Sequence, residues 1–599
     1  MRVKIQQARD IKVMIAGKSH SNQANQFNFV FRYGYTLGER IPPDYVRSQY
    51  TMEFANHLTF LVASLYLLKM FSNTQSLLFP QAHSVAPPGA TKKHRRLTNL
   101  TPGIRLAICI LIITVPGCKG EKTNDLSRRD LSVSHFEEQK ITAFCGDCHA
   151  MPPAESFPKR AWHDEVKRGY AFYYASERTD LDIPVQDVTL RYFTNRAPEN
   201  LPIRPASGIS NEWVDKFDRS EISIPEINSP AVSFVDFIDL GVGFGKGLLI
   251  SDMRGGGIYF AAYTENEFAS PIRLGQVKNP SALRVLDWDN DGFLDILAAD
   301  LGSFLPADHQ DGRVVWLRQN SDQSKTFEPI ILLEGLGRVA SLELGDLNDD
   351  GRVDLLVAEF GWQSTGSVFW IARQDNPTEM SIKHLLDKRS GAIHTPIIDL
   401  NGDNKLDIVA LISQHHECID AFINKGNGRF DKETIFVAPD PAYGSSGIEL
   451  VDMNQDGKID ILYTNGDSFD SFFLKPSHGV RWFENTGRFP FTEHRLGEMP
   501  GAHRALAVDI DLDGRNEVIS GAFLPRKLLR THAVNEAEGL VLWKRDDAGN
   551  YHRHVLVQSE TSYAALCIAE TTPALPPLIV VGHFREDDTG AAITVWRPK

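Results

Sequence analysis

Apolar residues in the second half of the chain come in runs of five or six, each entered through a carboxylate-rich stretch. ILAAD, LLVAE, IVALI, ILYTN and VISGA follow nine-residue segments that begin at Asp287, Asp346, Asp399, Asp452 and Asp509. Short apolar runs bounded by turn residues predict strands rather than helices. In most units a second run ends in an aromatic pattern, as in RVVWL, SVFWI, GVRWF and LVLWK. A third follows, such as EPIIL, SIKHL or YHRHVLV. Each unit therefore reads as one antiparallel sheet.

The units repeat. Two degenerate copies, 239–252 (DLGVGFGKGLLISD) and 569–582 (AETTPALPPLIVVG), flank the five and keep the strand while losing most carboxylates. Segment starts at 239, 287, 346, 399, 452, 509 and 569 lie 48 to 60 residues apart. Seven sheets at this period predict a mainly β fold, a seven-bladed β-propeller over residues 221–599. The last unit, ending at 592–599, lacks an outer strand, and 221–227 (EISIPEI) has a strand pattern but no unit. That segment is expected to close the ring.

The loops themselves read D-x-[DN]-x-D-[GN]-x-x-[DE]. Their oxygen donors are Asp287, Asp289, Asp291 and Asp295; Asp346, Asn348, Asp350 and Asp354; Asp399, Asn401, Asp403 and Asp407; Asp452, Asn454, Asp456 and Asp460; and Asp509, Asp511, Asp513 and Glu517. Oxygens at positions one, three, five and nine, with the carbonyl at seven, can surround a hard cation, as in the opening of an EF-hand loop. An all-oxygen set selects Ca²⁺, so about five structural calcium ions are expected. With these loops, the repeats resemble the FG-GAP/VCBS family, which includes integrin α-subunit propellers and many secreted bacterial proteins. The resemblance covers about 380 residues. It implies a calcium-stabilised propeller and leaves function open.

The first third of the chain differs. Residues 1–91 show no sustained periodicity and are read as an unstructured extension, or as sequence translated from upstream of the true start. Basic residues at 92–96 and Arg105 precede the apolar run 106–115 (LAICILIITV), then Val115-Pro116-Gly117-Cys118. This is the layout of a signal peptide over 92–118. Its end resembles a bacterial lipobox, which implies lipidation of Cys118. A polar tether (119–132) would follow, placing the protein outside the cytoplasm, periplasmic or at the cell surface, on a membrane through a lipid anchor.

Cys145-Gly146-Asp147-Cys148-His149 reads C-x-x-C-H. Two thiols so spaced can form thioethers to a haem, with His149 as proximal iron ligand. Helical spacing in 134–144 leads into the motif, and helices near 158–174 and 184–196 complete a module over 133–203. The segment after the motif resembles small monohaem cytochrome c modules of exported bacterial proteins. Zinc and dithiol redox chemistry are the weaker readings of the same residues. The sixth iron ligand is open: Met151 lies too near His149 to reach the opposite haem face easily, and His163 is the alternative.

Turn residues that differ between units, His415, His416, Asp467, Asp470, Arg526 and His532, are candidate ligand contacts, and His394 and His503 are candidates for facing a central channel. Charge then narrows the partners. The whole chain carries −14, and residues 1–117 hold 14 basic and 4 acidic residues, so the remainder carries −24. An acidic chain is a poor nucleic-acid binder, and 18 of its acids sit in the five loops. The reading is an exported haem electron-transfer protein whose propeller binds a redox partner or a small ligand. A haem-coupled oxidoreductase acting on a sugar or alcohol, with unknown catalytic residues, and a surface adhesion or carbohydrate-binding protein are the alternatives.

Overall fold

In the computed structural model, the structure describes residues 133–320, 325–469, 471–531, 537–586 and 589–599. The signal peptide, Cys118, the tether, Asp470 and His532 lie outside the described residues.

The repeats form seven antiparallel sheets of four or five strands, the blades of a seven-bladed propeller. Blades 2 to 6 start at Pro280, Val339, Ala392, Ser445 and Ala502, blade 1 at Val232 and blade 7 at Tyr563. The second strand of a blade follows the carboxylate loop and packs against neighbouring blades on both faces. Asp295–Asp300, Asp407–Ile412, Asp460–Asn465 and Glu517–Ala522 are buried at every position. That is why these runs read as continuous rather than alternating apolar stretches. The fourth strand faces water, and Phe430–Val437 is exposed over most of its length.

The ring is closed by Phe217–Ile222, paired antiparallel with Ile593–Pro598. The expected closing segment began four residues later. Ile224 is instead buried between blades 7 and 1, in a turn where the Ile227 amide donates to its carbonyl.

Residues 133–214 form four helices: α1 His135–Cys145, α2 Trp162–Ala175, α3 Gln186–Thr194 and the single turn α4 Asn211–Val214. Ser134 and Glu137 form a capping box at the start of α1. Trp162 stacks on Phe193 at 3.9 Å, and its Nε1 donates to the Ala154 carbonyl at 2.8 Å. This helical module has its own apolar core, which extends onto Ala442 and Phe473 of the propeller. Phe157 meets Phe473 edge-on at 6.1 Å, and the Lys475 ammonium lies 4.4 Å from the Phe157 ring centre. Phe473 and Lys475 lie on the turn joining the second and third strands of blade 5, and Ala442 on the link from blade 4 to blade 5, both at the opposite end of the blades from the carboxylate loops. From there the chain crosses Leu474, Leu524 and Leu528 through Ile203, and Ile209 pairs with Val555 at the outer edge of blade 6.

Candidate haem site, carboxylate loops and channel

Helix α1 ends at Cys145, so the rest of the C-x-x-C-H motif leaves it in a turn. Cys145 and Cys148 are free thiols, one half-buried and one exposed. Burial pushes the Cys145 thiol up to about 12. The Nδ1 of His149 lies 2.8 Å from the Ala150 carbonyl. A carbonyl only accepts, so Nδ1 carries the proton and Nε2 is the nitrogen free to ligate, the arrangement of metal-binding histidines. Two groups of ligating atoms lie within 4.8 Å of one another among the described residues, both in the carboxylate loops. The cysteines and His149 are in neither. They do not converge on a single ion, whereas a haem takes its thioethers at its rim and its histidine at the iron. The residues present fit a haem.

Neither sequence candidate for the second iron ligand faces His149. The His163 side chain is 71% exposed on α2 and lies 3.5 Å from Asp164. Met151 packs into the module core. The ring that does face His149 belongs to the propeller: His415 is centred 6.3 Å from it, the planes 29° apart. Phe172 of α2 meets His415 edge-on at 5.8 Å. Burial, with His149 and Arg168 nearby, holds His415 below the usual histidine range. Burial likewise holds His416 down to about 4. Arg526 opens the short helix Arg526–Thr531 on the same end of the propeller.

The five carboxylate loops share one geometry. The position-one carboxylate accepts backbone amides from positions five and six: Asp287 from Asp291 at 3.0 Å and Gly292 at 2.9 Å, and Asp452 from Asp456 and Gly457 at 3.1 and 2.8 Å. Position nine has a second role that its place in the motif conceals. Asp407 accepts from the Leu400 amide at 3.0 Å and the Asn424 amide at 2.7 Å. Asp295, Asp354 and Asp460 likewise span the second residue of the loop and the end of the third strand. All four are fully buried. Burial pushes Asp295 and Asp354 up to about 6 against the pull of those amides.

The loops differ in one neighbour. The third-strand residue following Leu317, Ile371, Phe422, Phe483 and Trp543 is Arg318, Ala372, Ile423, Glu484 and Lys544 respectively. Arg318 pairs with Asp289 at 2.5 Å and Asp291 at 3.0 Å. Lys544 reaches Asp511, Asp513 and Glu517 at 2.7, 3.1 and 2.8 Å. These are also the two loops with aspartate rather than asparagine at position three, and in each three carboxylates lie within 4.8 Å of one another.

The first strands of the blades surround a central channel of about 1510 Å³. His394 and His503 both line it, from within the first strands of blades 4 and 6 rather than ahead of them. Arg504 donates to His394 Nδ1 at 2.9 Å and to the Ile448 carbonyl at 2.5 Å. Burial first, and then Arg504, hold His394 well below its ordinary value and His503 down to about 4, so both are neutral. Glu449 accepts the Ala507 amide at 2.7 Å, and burial pushes it up to about 7. Arg284 pairs with Glu343 across neighbouring blades, Nε to Oε2 at 2.7 Å.

At the channel end that carries the helical module, Phe523 lies between a tilted Phe469 and an edge-on Phe584, both at 5.1 Å, and Phe304 stacks on Phe584 at 5.8 Å. Arg338 is buried there with its guanidinium 5.6 Å from the Phe360 ring centre, and its Nε has no hydrogen-bond partner. Burial lowers Arg338 to about 10, which leaves it cationic at neutral pH. Arg338 and Arg504 were not singled out from sequence. Arg338 directly precedes the first strand of blade 3, and Arg504 lies within the first strand of blade 6, next to His503.

Residues 399–463 match the model of FG-GAP-like repeats. The match spans the blade 4 loop and strands and the blade 5 loop. The chain thus contains an FG-GAP-like repeat within a seven-bladed propeller. Comparison with curated proteins yields no match. Among solved structures, the fold is similar to hydrazine synthase of Kuenenia stuttgartiensis (14% identity, 62% of this chain and 96% of that one, TM-score 0.38). It is also similar to the periplasmic gluconolactonase of Pseudomonas aeruginosa (12% identity, 58% and 99%, TM-score 0.38). A third is an ancestral GH74 enzyme (9% identity, 62% and 48%, TM-score 0.43). At these values the likeness carries no functional information.

Proposed function

We propose that the chain is an exported c-type haem protein that transfers single electrons, with the propeller serving as the docking and ligand-binding body. The observation that carries this reading is the placement of His149. Its Nδ1 is tied to the Ala150 carbonyl, which leaves Nε2 to ligate, and its ring lies 6.3 Å from that of His415 on the propeller. Cys145 and Cys148 would hold the haem and His149 its iron, which supplies one-electron redox chemistry when bound. Export and lipidation at Cys118 belong to the same proposal.

A second reading, a haem-coupled oxidoreductase, is favoured by one observation: the buried cationic Arg338, with an orphan Nε, beside a collar of phenylalanines at the channel end that carries the helical module. Such a site suits a small organic anion. One experiment separates the two. The oxidised holoprotein is mixed anaerobically with small sugars, alcohols and their acids, and separately with reduced small redox proteins, while the haem spectrum is followed. Electron transfer predicts reduction by a protein partner and none by the small molecules alone. Reduction by a small molecule without a mediator overturns it and establishes the oxidoreductase.

Calcium enters the proposal with a changed count. Arg318 and Lys544 already place a cation among the carboxylates of the loops of Asp287 and Asp509. In the loops of Asp346, Asp399 and Asp452 the basic partner is the position-seven side chain on the rim carboxylate of position five (Arg352, Lys405, Lys458), with no cation from the third strand, and these loops would take the ions, about three per chain rather than five. Lys544→Met, which keeps the stem and removes the charge, is expected to raise the calcium stoichiometry by one in a titration of chelator-treated protein. A wild-type stoichiometry of five, or no change in Lys544→Met, contradicts this assignment.

A further inference from the structure

The two imidazoles that face each other come from opposite ends of the construction. His149 closes the C-x-x-C-H turn of the helical module, while His415 sits at the tip of the blade 4 turn between Asp407–Ile412 and Cys418–Asn424. Imidazole nitrogens ligate first-row metals at about 2.0–2.1 Å, and a ring centre lies about 1.2 Å behind its nitrogen. Two imidazoles on opposite sides of one metal thus have centres roughly 6 to 6.5 Å apart. The observed separation is 6.3 Å, with the two ring planes 29° apart.

His415 is also held firmly. Ser413 donates its amide to the Gly391 carbonyl at 2.8 Å, and the His416 amide donates back to Ser413 at 3.2 Å. On the other flank the Glu417 side chain is buried and accepts the Gly444 and Ser445 amides of blade 5 at 3.1 and 2.9 Å. Both sides of the turn are pinned to the propeller, so the His415 ring is presented from a rigid base, as a ligand position requires.

We propose that His415 is the second axial ligand of the haem bound at Cys145, Cys148 and His149. The iron then bridges the helical module and blade 4, and the haem is a six-coordinate bis-histidine centre with no open position. This rests on the haem reading and deepens it. A closed iron suits outer-sphere electron transfer and excludes exogenous ligand chemistry at the metal. It also makes the seating of the module on the propeller dependent on a bond outside the apolar contact.

The test uses the full-length holoprotein, with haem content measured separately by the alkaline pyridine spectrum. Wild type is expected to be low-spin by optical and electron paramagnetic resonance spectra, and its reduced form to show no change with carbon monoxide. His415→Ala is expected to keep its haem content, lose the low-spin signal, bind carbon monoxide, and regain the low-spin spectrum with added imidazole. His415→Met is expected to stay six-coordinate with a higher reduction potential, because thioether replaces imidazole. His416→Ala and His163→Ala are expected to match wild type. A haem-containing His415→Ala that stays low-spin and refuses carbon monoxide overturns the proposal, as does a wild type that is already high-spin. Absence of covalent haem in wild type sinks the haem reading itself, a distinct result.

Discussion

Replacing Asp407 by alanine is expected to cost about 2–5 kcal/mol of stability whether calcium is present or chelated. The carboxylate is fully buried and accepts two main-chain amides, Leu400 at 3.0 Å and Asn424 at 2.7 Å. Alanine removes both acceptors and supplies none, leaving two buried N–H groups unpaired at roughly 1–3 kcal/mol each. Asp399 is the control. Its carboxylate takes the amides of Asp403 and Asn404 at a solvent-facing loop, where water can replace it. Asp399→Ala is therefore expected to weaken calcium binding and to change stability little once calcium is removed. Thermal unfolding of both variants, each with and without chelator, checks this. Equal costs for the two in chelator would mean that position nine acts only as an ion ligand.

That contrast shows where the sequence was informative. The five loops, their register and the strands after them are legible because nine contiguous residues carry the pattern. The double role of Asp407 is not, since its partner Asn424 arrives from the third strand. Lys544 hides for the same reason: its place among Asp511, Asp513 and Glu517 depends on strand pairing. The closing strand was misplaced because its pairing with Ile593–Pro598 is made by backbone, and Phe217–Ile222 is exposed at four consecutive positions. Alternating isoleucines at 222 and 224 drew the expectation downstream. The channel collects Arg284, Glu343, His394, Glu449 and Arg504 from five different blades, and ring closure alone brings them together. His415 was singled out as a variable turn residue, and only the seating of the helical module places it opposite His149.

The second large effect concerns the motif itself. Cys145→Ser/Cys148→Ser is expected to abolish covalent haem entirely, because serine oxygens form no thioether and His149 alone gives at most a dissociable axial bond. The fold should survive, since Cys148 is exposed and Cys145 only partly buried, at the end of α1 rather than among the buried residues of the module core. The most direct measurement is therefore haem retention after denaturation. Full-length protein made in a host that exports and matures c-type haem is unfolded, extracted with acidified acetone, and assayed by the pyridine spectrum and by intact mass. One haem per wild-type chain that stays with the polypeptide, and none in the double variant, is the predicted result. Haem that extracts freely, or a haem-free chain holding zinc at Cys145 and Cys148, would contradict the account.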